Sequence, residues 1–582
     1  MPIENQPSRS ASTGLTDNTA ATRSAAPTAL PYQPAHSDAS HPTPLRRLLD
    51  GCLSLLRRLA AQTGALLVRL IVGALDRLGV LDKTGDILIG LLVKRGKPGP
   101  LSDAQQHTVK MLKNSVYARL VVEGYLSSGR GMNRYPEWDA LNAELYQEGS
   151  AVSPGTGVSD AGFLDGLEKL VGERFSSGNT VQPLINGPAS FEQRYRLMGA
   201  AKESIYLATW KVYGDETGKK TVDTLLAKRQ ENPAMDIRVI VDGNVATRDP
   251  TSLEQLKRLV NGGVPVALYH HDQRPFDGFH YKQLVVDGAS EHPISIAGGM
   301  NIGDAYSHGF GTPHADDPLR RRWRDTDVRI DGQNARDDYL SFAWLWNEQA
   351  SRSNAIDPFQ QTLAPIDSRV DLPAVPAFGE VRVMTTIDEP GPDSRQTVTL
   401  AKVRAIRAAQ RSIDVENAYF MDVPAIRNAL IDAAQRGVCV RVLTNSPDSV
   451  DETVVCVPIM KGLHGLLKHA EAAAVPSDLC QVYVRNRIHP AVRNGDTLHS
   501  KYMVIDQEFS LVTSLNIHAR SLRLEVEGAH FIADKDLSEA LSAQFDRDLG
   551  DARRYHTSDD IEFPHDFVSW IMRRVNLDPV LL

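Results

Sequence analysis

Cysteine is scarce in this chain: there are four in 582 residues, and Cys52, Cys439, Cys456 and Cys480 have no spacing that would hold a metal. Cys439 sits in the apolar run Gly437-Val438-Cys439-Val440, where a buried free thiol is expected. Nothing about these cysteines demands an oxidising compartment. A basic excess is missing as well, since 64 Lys and Arg against 72 Asp and Glu leave a net charge of −8. That balance argues against a general nucleic-acid binder, although it leaves room for a local basic patch. Residues 1–44 have almost no large apolar side chains, so they cannot offset the entropy of ordering and read as a disordered leader. They also lack a basic start followed by an apolar core, so no secretory signal peptide is expected.

Uninterrupted apolar length is the next absence. From Leu45 to Leu81 the chain is rich in leucine but carries Arg46, Arg47, Arg57, Arg58, Arg69 and Arg77 against Asp50 and Asp76. Its charge-free windows fall far short of the roughly 20 residues a spanning helix requires. Residues 45–98 therefore read as a basic amphipathic helical segment. It would either lie in the headgroup plane of an anionic membrane or dock on the body of the protein with its arginines solvated. Residues 99–170 show helical periodicity and read as an adapter packed on the lobe C-terminal to it, with no chemistry assigned.

What is present is repetition. A helix over Phe191 to Ala201 leads to a strand at Ser204–Trp210, then a helix around Val222 to Arg229 and a strand at Ile237–Asp242. The same order returns with a helix over Ala401 to Arg411, a strand at Ser412–Asn417, a helix over Ile426 to Arg436 and a strand at Gly437–Leu443. Alternating strand and helix predicts α/β lobes, with mixed, largely parallel sheets flanked by helices. Internal repetition predicts two such lobes related by a pseudo-twofold. We place them at 171–372 and 373–582, joined near Leu372-Pro373-Ala374-Val375-Pro376. The run Gly214 to Thr221 is similar to a phosphate loop, but its glycines stand one residue too close and Lys220 takes the hydroxyl position.

Each lobe carries one short motif. His280-Tyr281-Lys282 is followed by Asp287 and by Gly298-Gly299-Met300-Asn301, and His499-Ser500-Lys501 by Asp506 and by Thr513-Ser514-Leu515-Asn516. One H-x-K-x4-D is a weak signal. Two copies, each with a small-small-x-Asn tail, are not explained by chance. On a strand, residues two apart share a face, so each copy sets an imidazole beside an ammonium. Asp287 and Asp506 fall where the strands end and read as anchors of the turns. An ammonium is not a metal ligand, so no divalent ion and no cofactor is implied. The rival metal group would be His270, His271, His280 and His314.

This pair of motifs resembles the signature of the phospholipase D superfamily. The flanking Gly298 to Asp304, Trp323-Arg324-Asp325-Thr326, and Arg520-Ser521 with Glu527 resemble its bacterial cardiolipin synthase branch. The resemblance covers about the last 400 residues. It implies an enzyme in which one histidine attacks phosphorus and the other serves as acid and base. By the same resemblance His280 is the nucleophile, backed by Glu527, and His499 the acid/base, backed by Asp325. Lys282, Lys501, Asn301 and Asn516 would hold the phosphate oxygens, and Arg324, Arg520 and Ser521 would bind substrate. Glu525 shares a strand face with Glu527 and is the alternative backing group. Asp325 could instead pair with the surrounding Arg320, Arg321, Arg322 and Arg324, which could equally meet an anionic headgroup.

The function implied is a phosphatidyltransferase using phosphatidylglycerol as donor and acceptor, at a membrane surface. Peripheral association with the cytoplasmic face of a bacterial inner membrane is expected. The alternative is a phospholipase D that hands the intermediate to water, as an exported effector. A nuclease and a catalytically dead lipid-binding scaffold are the remaining readings; no nucleic acid is expected, and the sequence leaves open whether an accessory protein takes part. The chain departs from the family pattern at Ala305, at Ala418 before Tyr419-Phe420 and in lacking N-terminal transmembrane helices. These departures bear on acceptor choice and membrane attachment.

Overall fold

The computed structural model describes residues 138–564 except 152–155, 272–276, 318–320, 353–356, 369–370, 392–393 and 487–496. The expectations for 1–44, 45–98 and 99–137 lie outside the described residues. The strands of the first half are β1 (Ser176–Ile185), β2 (Ser204–Thr209), β3 (Asp236–Asp242), β4 (Val266–Tyr269), β5 (Gly278–Phe279), β6 (Gln283–Val286), β7 (Ile294–Gly298) and β8 (Thr326–Asp331). Those of the second are β9 (Val381–Asp388), β10 (Ser412–Asn417), β11 (Cys439–Asn445), β12 (Cys480–Arg485), β13 (Lys501–Ile505), β14 (Phe509–Thr513), β15 (Glu525–Ala533) and β16 (Ala552–Tyr555).

All of them join one sheet in the order β16-β12-β11-β10-β13-β14-β15-β9-β1-β8-β7-β6-β2-β3-β4, with β5 paired on β15. Leaving out β5 and β16, the order reads as a palindrome about the β9–β1 contact, so the two halves are duplicates meeting edge to edge. Parallel pairing is narrower than the alternation of strand and helix predicts. It is confined to β2-β3-β4 and β10-β11-β12, with the short β5 on β15. The motif strands β6 and β13 pair antiparallel with both neighbours. The reason is connection length: short turns link β6 to β7 and β13 to β14, and a short turn can only reverse the chain.

Those two turns are built alike. Asp287 and Asp506 both take positive φ, 50° and 56°. Asp287 Oδ1 accepts from the N–H groups of Glu203 and Ser204 at 2.7 and 2.9 Å. The Asp506 carboxylate accepts from Arg411 and Ser412 at 2.6 and 2.9 Å. Each aspartate therefore ties the end of a motif strand to the start of its neighbour, through charge-assisted bonds stronger than neutral ones.

Both faces of the sheet are covered. Ile205 and Leu207 pack under helices Asn186–Ala200 and Glu216–Glu231, while Tyr206 and Ala208 meet Phe342 and Trp346 of helix Gln333–Ser351. The period-two alternation thus places apolar groups on both sides. In the second half, Ile413 and Val415 pack under helices Thr397–Ala408 and Pro424–Gln435. Helices Trp138–Ser150 and Ala161–Val171 of the expected adapter dock there too, on the second half rather than on the first half that comes after them in the chain. Tyr146 donates to Asp432 at 2.6 Å, and Asn142 accepts from Ala425 N–H at 3.1 Å. A separate cluster joins Val328 and Ile330 of β8 to Val383 of β9, Val504 of β13, Ile532 of β15 and Leu541. Apolar surface from both halves is buried in it, so neither half can leave without exposing core.

Candidate active site

Each half hands its motif to the other. β5 runs parallel to the start of β15, pairing Gly278 with Glu525 and Phe279 with Val526, and His280 N–H donates to Val526 O at 3.0 Å. Symmetrically, Arg324 bridges Leu498. Arg324 N–H donates to Thr497 O at 2.9 Å and His499 N–H to Arg324 O at 2.7 Å. This backbone pairing brings His280 beside Glu527 and His499 beside Asp325.

His280 Nδ1 lies 3.0 Å from Glu527 Oε1, and His499 Nδ1 lies 2.8 Å from Asp325 Oδ2. Both carboxylates are fully buried. A carboxylate at Nδ1 holds the neutral ring as the Nδ1–H tautomer and leaves the Nε2 lone pair free. Burial, then Lys282, holds His280 well below the ordinary imidazole range. Burial and Lys501 lower His499 as well, with Asp325 pulling the other way. Burial pushes the Asp325 carboxyl up, but His499 and Lys501 outweigh it and leave it below its usual range.

The two lysines are not strand neighbours of their histidines as expected. His280 and Lys282 lie between β5 and β6, and His499 just precedes β13. Each ammonium turns back to a histidine carbonyl, Lys282 to His280 O and Lys501 to His499 O at 2.6 Å, because a buried ammonium requires acceptors. Lys501 Nζ also stands 3.1 Å from His499 Nδ1. Burial lowers the Lys282 ammonium to about 7 and that of Lys501 to about 8.

His280 and His499 line one cavity of about 520 Å³, together with Asn301, Asn516, Arg520 and Glu525. Asn301 donates to Tyr306 Oη at 2.9 Å, whereas Asn516 Oδ1 is buried without a partner among the described residues. Glu525 is engaged by Arg520 at 2.7 Å, which leaves Glu527 as the group on the His280 ring. Two residues expected at the substrate lie elsewhere. Arg324 is buried beneath the cavity, bonded to Asp548 at 2.7 Å and Ser500 at 3.0 Å, with Glu416 at 3.3 Å. Ser521 donates to Glu527 at 2.7 Å and so braces the carboxylate behind His280. Their sequence neighbourhood signals the site, but buried carboxylates draw their side chains inward, Asp548 and Glu416 for Arg324 and Glu527 for Ser521. Of the other arginines near Asp325, Arg321 lines the cavity, Arg322 donates to Ala315 O at 3.1 Å and Arg320 lies outside the described residues.

Among the described residues, the one group of three metal-capable side chains is His280, Glu525 and Glu527, without His270, His271 or His314. At the loop similar to a phosphate loop, Asp304 and Asp215 accept from Thr217 and Gly218 N–H at 2.9 and 3.0 Å. Two carboxylates thus occupy the place a phosphate would take.

Sequence reasoning passed over several groups that the fold gathers here. Trp323 stacks on His499, with ring centroids 5.3 Å apart and planes at 27°, and Tyr306 meets the same ring edge-on at 5.1 Å. His280 has the edge of Trp210 at 6.4 Å. Ser514 donates to Glu527, and His518 lines the cavity as a third imidazole. Trp323, Tyr306, Ser514 and His518 lie within a few residues of a motif position, which is the one signal the chain offers for them, while Trp210, just after β2, has none.

Comparison with known proteins points the same way. The family described as "Cardiolipin synthase, PLD-like domain" matches residues 195–308 and 403–549, one segment per half. The major cardiolipin synthase of Bacillus subtilis is 28% identical over 400 residues, covering 67% of this chain and 73% of its own. Cardiolipin synthase A of Pseudomonas putida is 28% identical over 416 residues, covering 70% and 75%. Among solved structures, the phosphatidylserine synthase of Haemophilus influenzae superposes with a TM-score of 0.51 at 16% identity, over 68% of this chain and 92% of its own. That likeness is one of fold.

Proposed function

We propose that the chain is a phosphatidyltransferase of the phospholipase D superfamily, on its cardiolipin synthase-like branch, that works through a phosphohistidine. The observation that carries the reading is the crossed pairing of His280 with Glu527 and His499 with Asp325 over one cavity. His280 Nε2 attacks the phosphorus of a phospholipid headgroup ester. The bond from phosphorus to the headgroup oxygen breaks, and protonated His499 delivers its Nε2 proton to that oxygen. The headgroup alcohol leaves. His499, now neutral, takes the proton of an acceptor hydroxyl, whose oxygen displaces His280 Nε2 and completes the new phosphodiester. Glu527 and Asp325 steady whichever ring is charged.

Lys282 and Lys501 supply positive charge beside the phosphate, and Asn301 and Asn516 supply amide donors from the cavity wall. Burial disfavours charge on both rings, and a neutral imidazole is the form in which a nucleophile attacks. In this reading phosphatidylglycerol is donor and acceptor, and the product is cardiolipin. A lipid substrate requires the cavity to meet a bilayer surface, so peripheral attachment to a membrane belongs to the proposal.

The test is to incubate the purified full chain with phosphatidylglycerol vesicles and weigh the lipids. A product of cardiolipin mass that disappears in His280→Ala supports transfer. Phosphatidic acid alone moves the assignment to hydrolysis through the same intermediate. No phospholipid turnover removes the reading.

A further inference from the structure

Trp323 is held for its face and not for its edge. Its backbone is fixed at both ends, since its N–H donates to Ala305 O at 3.0 Å and its carbonyl oxygen accepts from His308 Nε2 at 3.0 Å. The indole Nε1–H, in contrast, is buried without a partner among the described residues. A buried tryptophan ordinarily finds an acceptor for that group, and leaving it unpaired costs free energy. What the indole does have is ring neighbours. His499 stacks on it with centroids 5.3 Å apart and planes at 27°, and Tyr306 meets it at 4.6 Å and 70°. Tyr306 also stands at 87° to His499, 5.1 Å away, with its hydroxyl engaged by Asn301.

An imidazole that changes charge during a reaction feels such a face in one of its two states. The face of an aromatic ring is negative, so a cation within about 6 Å of the ring centre is attracted, most strongly by tryptophan and more so where water is excluded. The neutral ring gains only packing. The stack therefore favours the imidazolium. The charged and titratable groups facing His499 are Lys501, Asp325, Asp451 and, across the cavity, His280. Lys501 opposes charge on the ring, while Asp325 and Asp451 favour it. The indole adds to the two carboxylates without bringing a negative charge of its own, and a further carboxylate there would repel the lipid phosphate.

The other half-site has no such face. Trp323 stands two residues before Asp325, and the residue two before Glu527 is Glu525. Glu525 lies close to His280 but is tied to Arg520 at 2.7 Å and to Ser521 at 3.0 Å. His280 thus meets an ion pair without net charge where His499 meets an indole. Trp210 stands at 72° to the His280 ring and 6.4 Å away, beyond the reach at which a ring face holds a cation. We propose that Trp323 is a positioning residue of the acid/base half, whose indole face holds the charged form of His499, so that the proton for the leaving headgroup waits on His499 and not on His280. The inference rests on the transfer reading above and names what keeps its acid charged.

The test follows the full chain through a single turnover on two lipids. One is phosphatidylglycerol with a labelled headgroup, whose glycerol needs a proton to leave; the other is phosphatidyl-p-nitrophenol, whose leaving group needs none. Trp323→Leu is expected to slow glycerol release roughly tenfold and p-nitrophenol release far less. Trp323→Phe restores an aromatic face and is expected to recover most of the loss. Fluorinated tryptophans placed at position 323 keep the shape of the indole and weaken its negative face. Glycerol release is then expected to fall stepwise with each added fluorine, while p-nitrophenol release stays level. A fluorine series without slope overturns the inference even if Trp323→Leu fails to fold, as do equal losses on the two lipids. A wild-type chain that turns over neither lipid overturns the transfer reading itself and the inference with it.

Discussion

In the first half-site the carboxylate behind the histidine is a glutamate reaching from β15; in the second it is an aspartate standing just before β8. Glu527 is one methylene longer and is held by the hydroxyls of Ser514 and Ser521. Asp325 is shorter and needs space: at Gly299, the position that answers Ser514 in the repeat, a Cβ would collide with Asp325 Oδ1. The two small residues before each asparagine thus do opposite work, serine bracing the long carboxylate and glycine making room for the short one. Ring environments differ in the same spirit. His499 lies between Trp323 and Tyr306 with Lys501 at its edge, while His280 meets the edge of Trp210. Duplication has kept the geometry at Nδ1 and let its supports diverge, which is what two different chemical roles require.

The sharpest break of that comparison is to remove one ring at a time. His280→Ala is expected to abolish formation of the covalent intermediate, with activity down by roughly ten-thousandfold or more. His499→Ala is expected to lose roughly ten-thousandfold on a lipid with an alkyl headgroup. It should recover much of that on phosphatidyl-p-nitrophenol, whose leaving group needs no proton. Trapping of phosphatidyl-enzyme distinguishes the two, and recovery in His280→Ala instead would reverse the assignment of roles.

Arg324 is the next largest effect, and one of stability. It belongs to the first half but bonds Glu416, Asp548 and Ser500 of the second. Arg324→Met takes the cation from buried Glu416 and leaves Asp548 only Arg485 at 3.8 Å, at a cost of about 3–5 kcal/mol, read by urea unfolding. A substrate-binding role would instead leave stability intact and raise KM. Smaller still are the substitutions that exchange the supports. Gly299→Ser displaces Asp325 from His499 and should cost roughly a hundredfold in kcat. Ser514→Ala removes one of two hydroxyls on Glu527 and should cost roughly tenfold. If the two substitutions cost the same, the difference in bracing carries no weight.

Much of this was legible from the chain. The twin H-x-K motifs, their asparagines and the two lobes follow from repetition, and the strands at Ser412–Asn417 and around Ile237 stand where periodicity puts them. The antiparallel motif strands, the docking of Tyr146 on Asp432 and the inward turn of Arg324 did not follow. They depend on pairings between residues far apart in the chain, such as Arg324 with Asp548 or His280 with Glu527, which no local pattern encodes. Even at short range the backward reach of Lys282 to its own motif carbonyl was hidden, because it answers burial rather than spacing. His518 was passed over because a histidine two residues after the motif asparagine carries no periodic mark.

The lysines give the mildest contrast between the half-sites. Burial lowers Lys282 to about 7 and Lys501 to about 8 from an ordinary 10.5. Between those values and 10.5 the unfolded chain holds protons that the folded chain has released. Each lysine therefore subtracts stability as pH falls from about 10.5 toward its folded value, and the subtraction is constant below it. Lys282→Met should accordingly abolish activity while leaving the protein no less stable at neutral pH. An anion in the cavity reverses the preference, because it favours the charged ammonium and so draws protons onto the pair. Affinity for inorganic phosphate is then expected to weaken as pH rises through about 7 to 8, by up to roughly tenfold. Calorimetry in buffers of different ionisation heat should show proton uptake on binding. Lys282→Met should shift the midpoint of that loss upward toward the value of Lys501, and Lys501→Met should shift it downward. A midpoint that ignores both substitutions would mean that the phosphate is held by other groups.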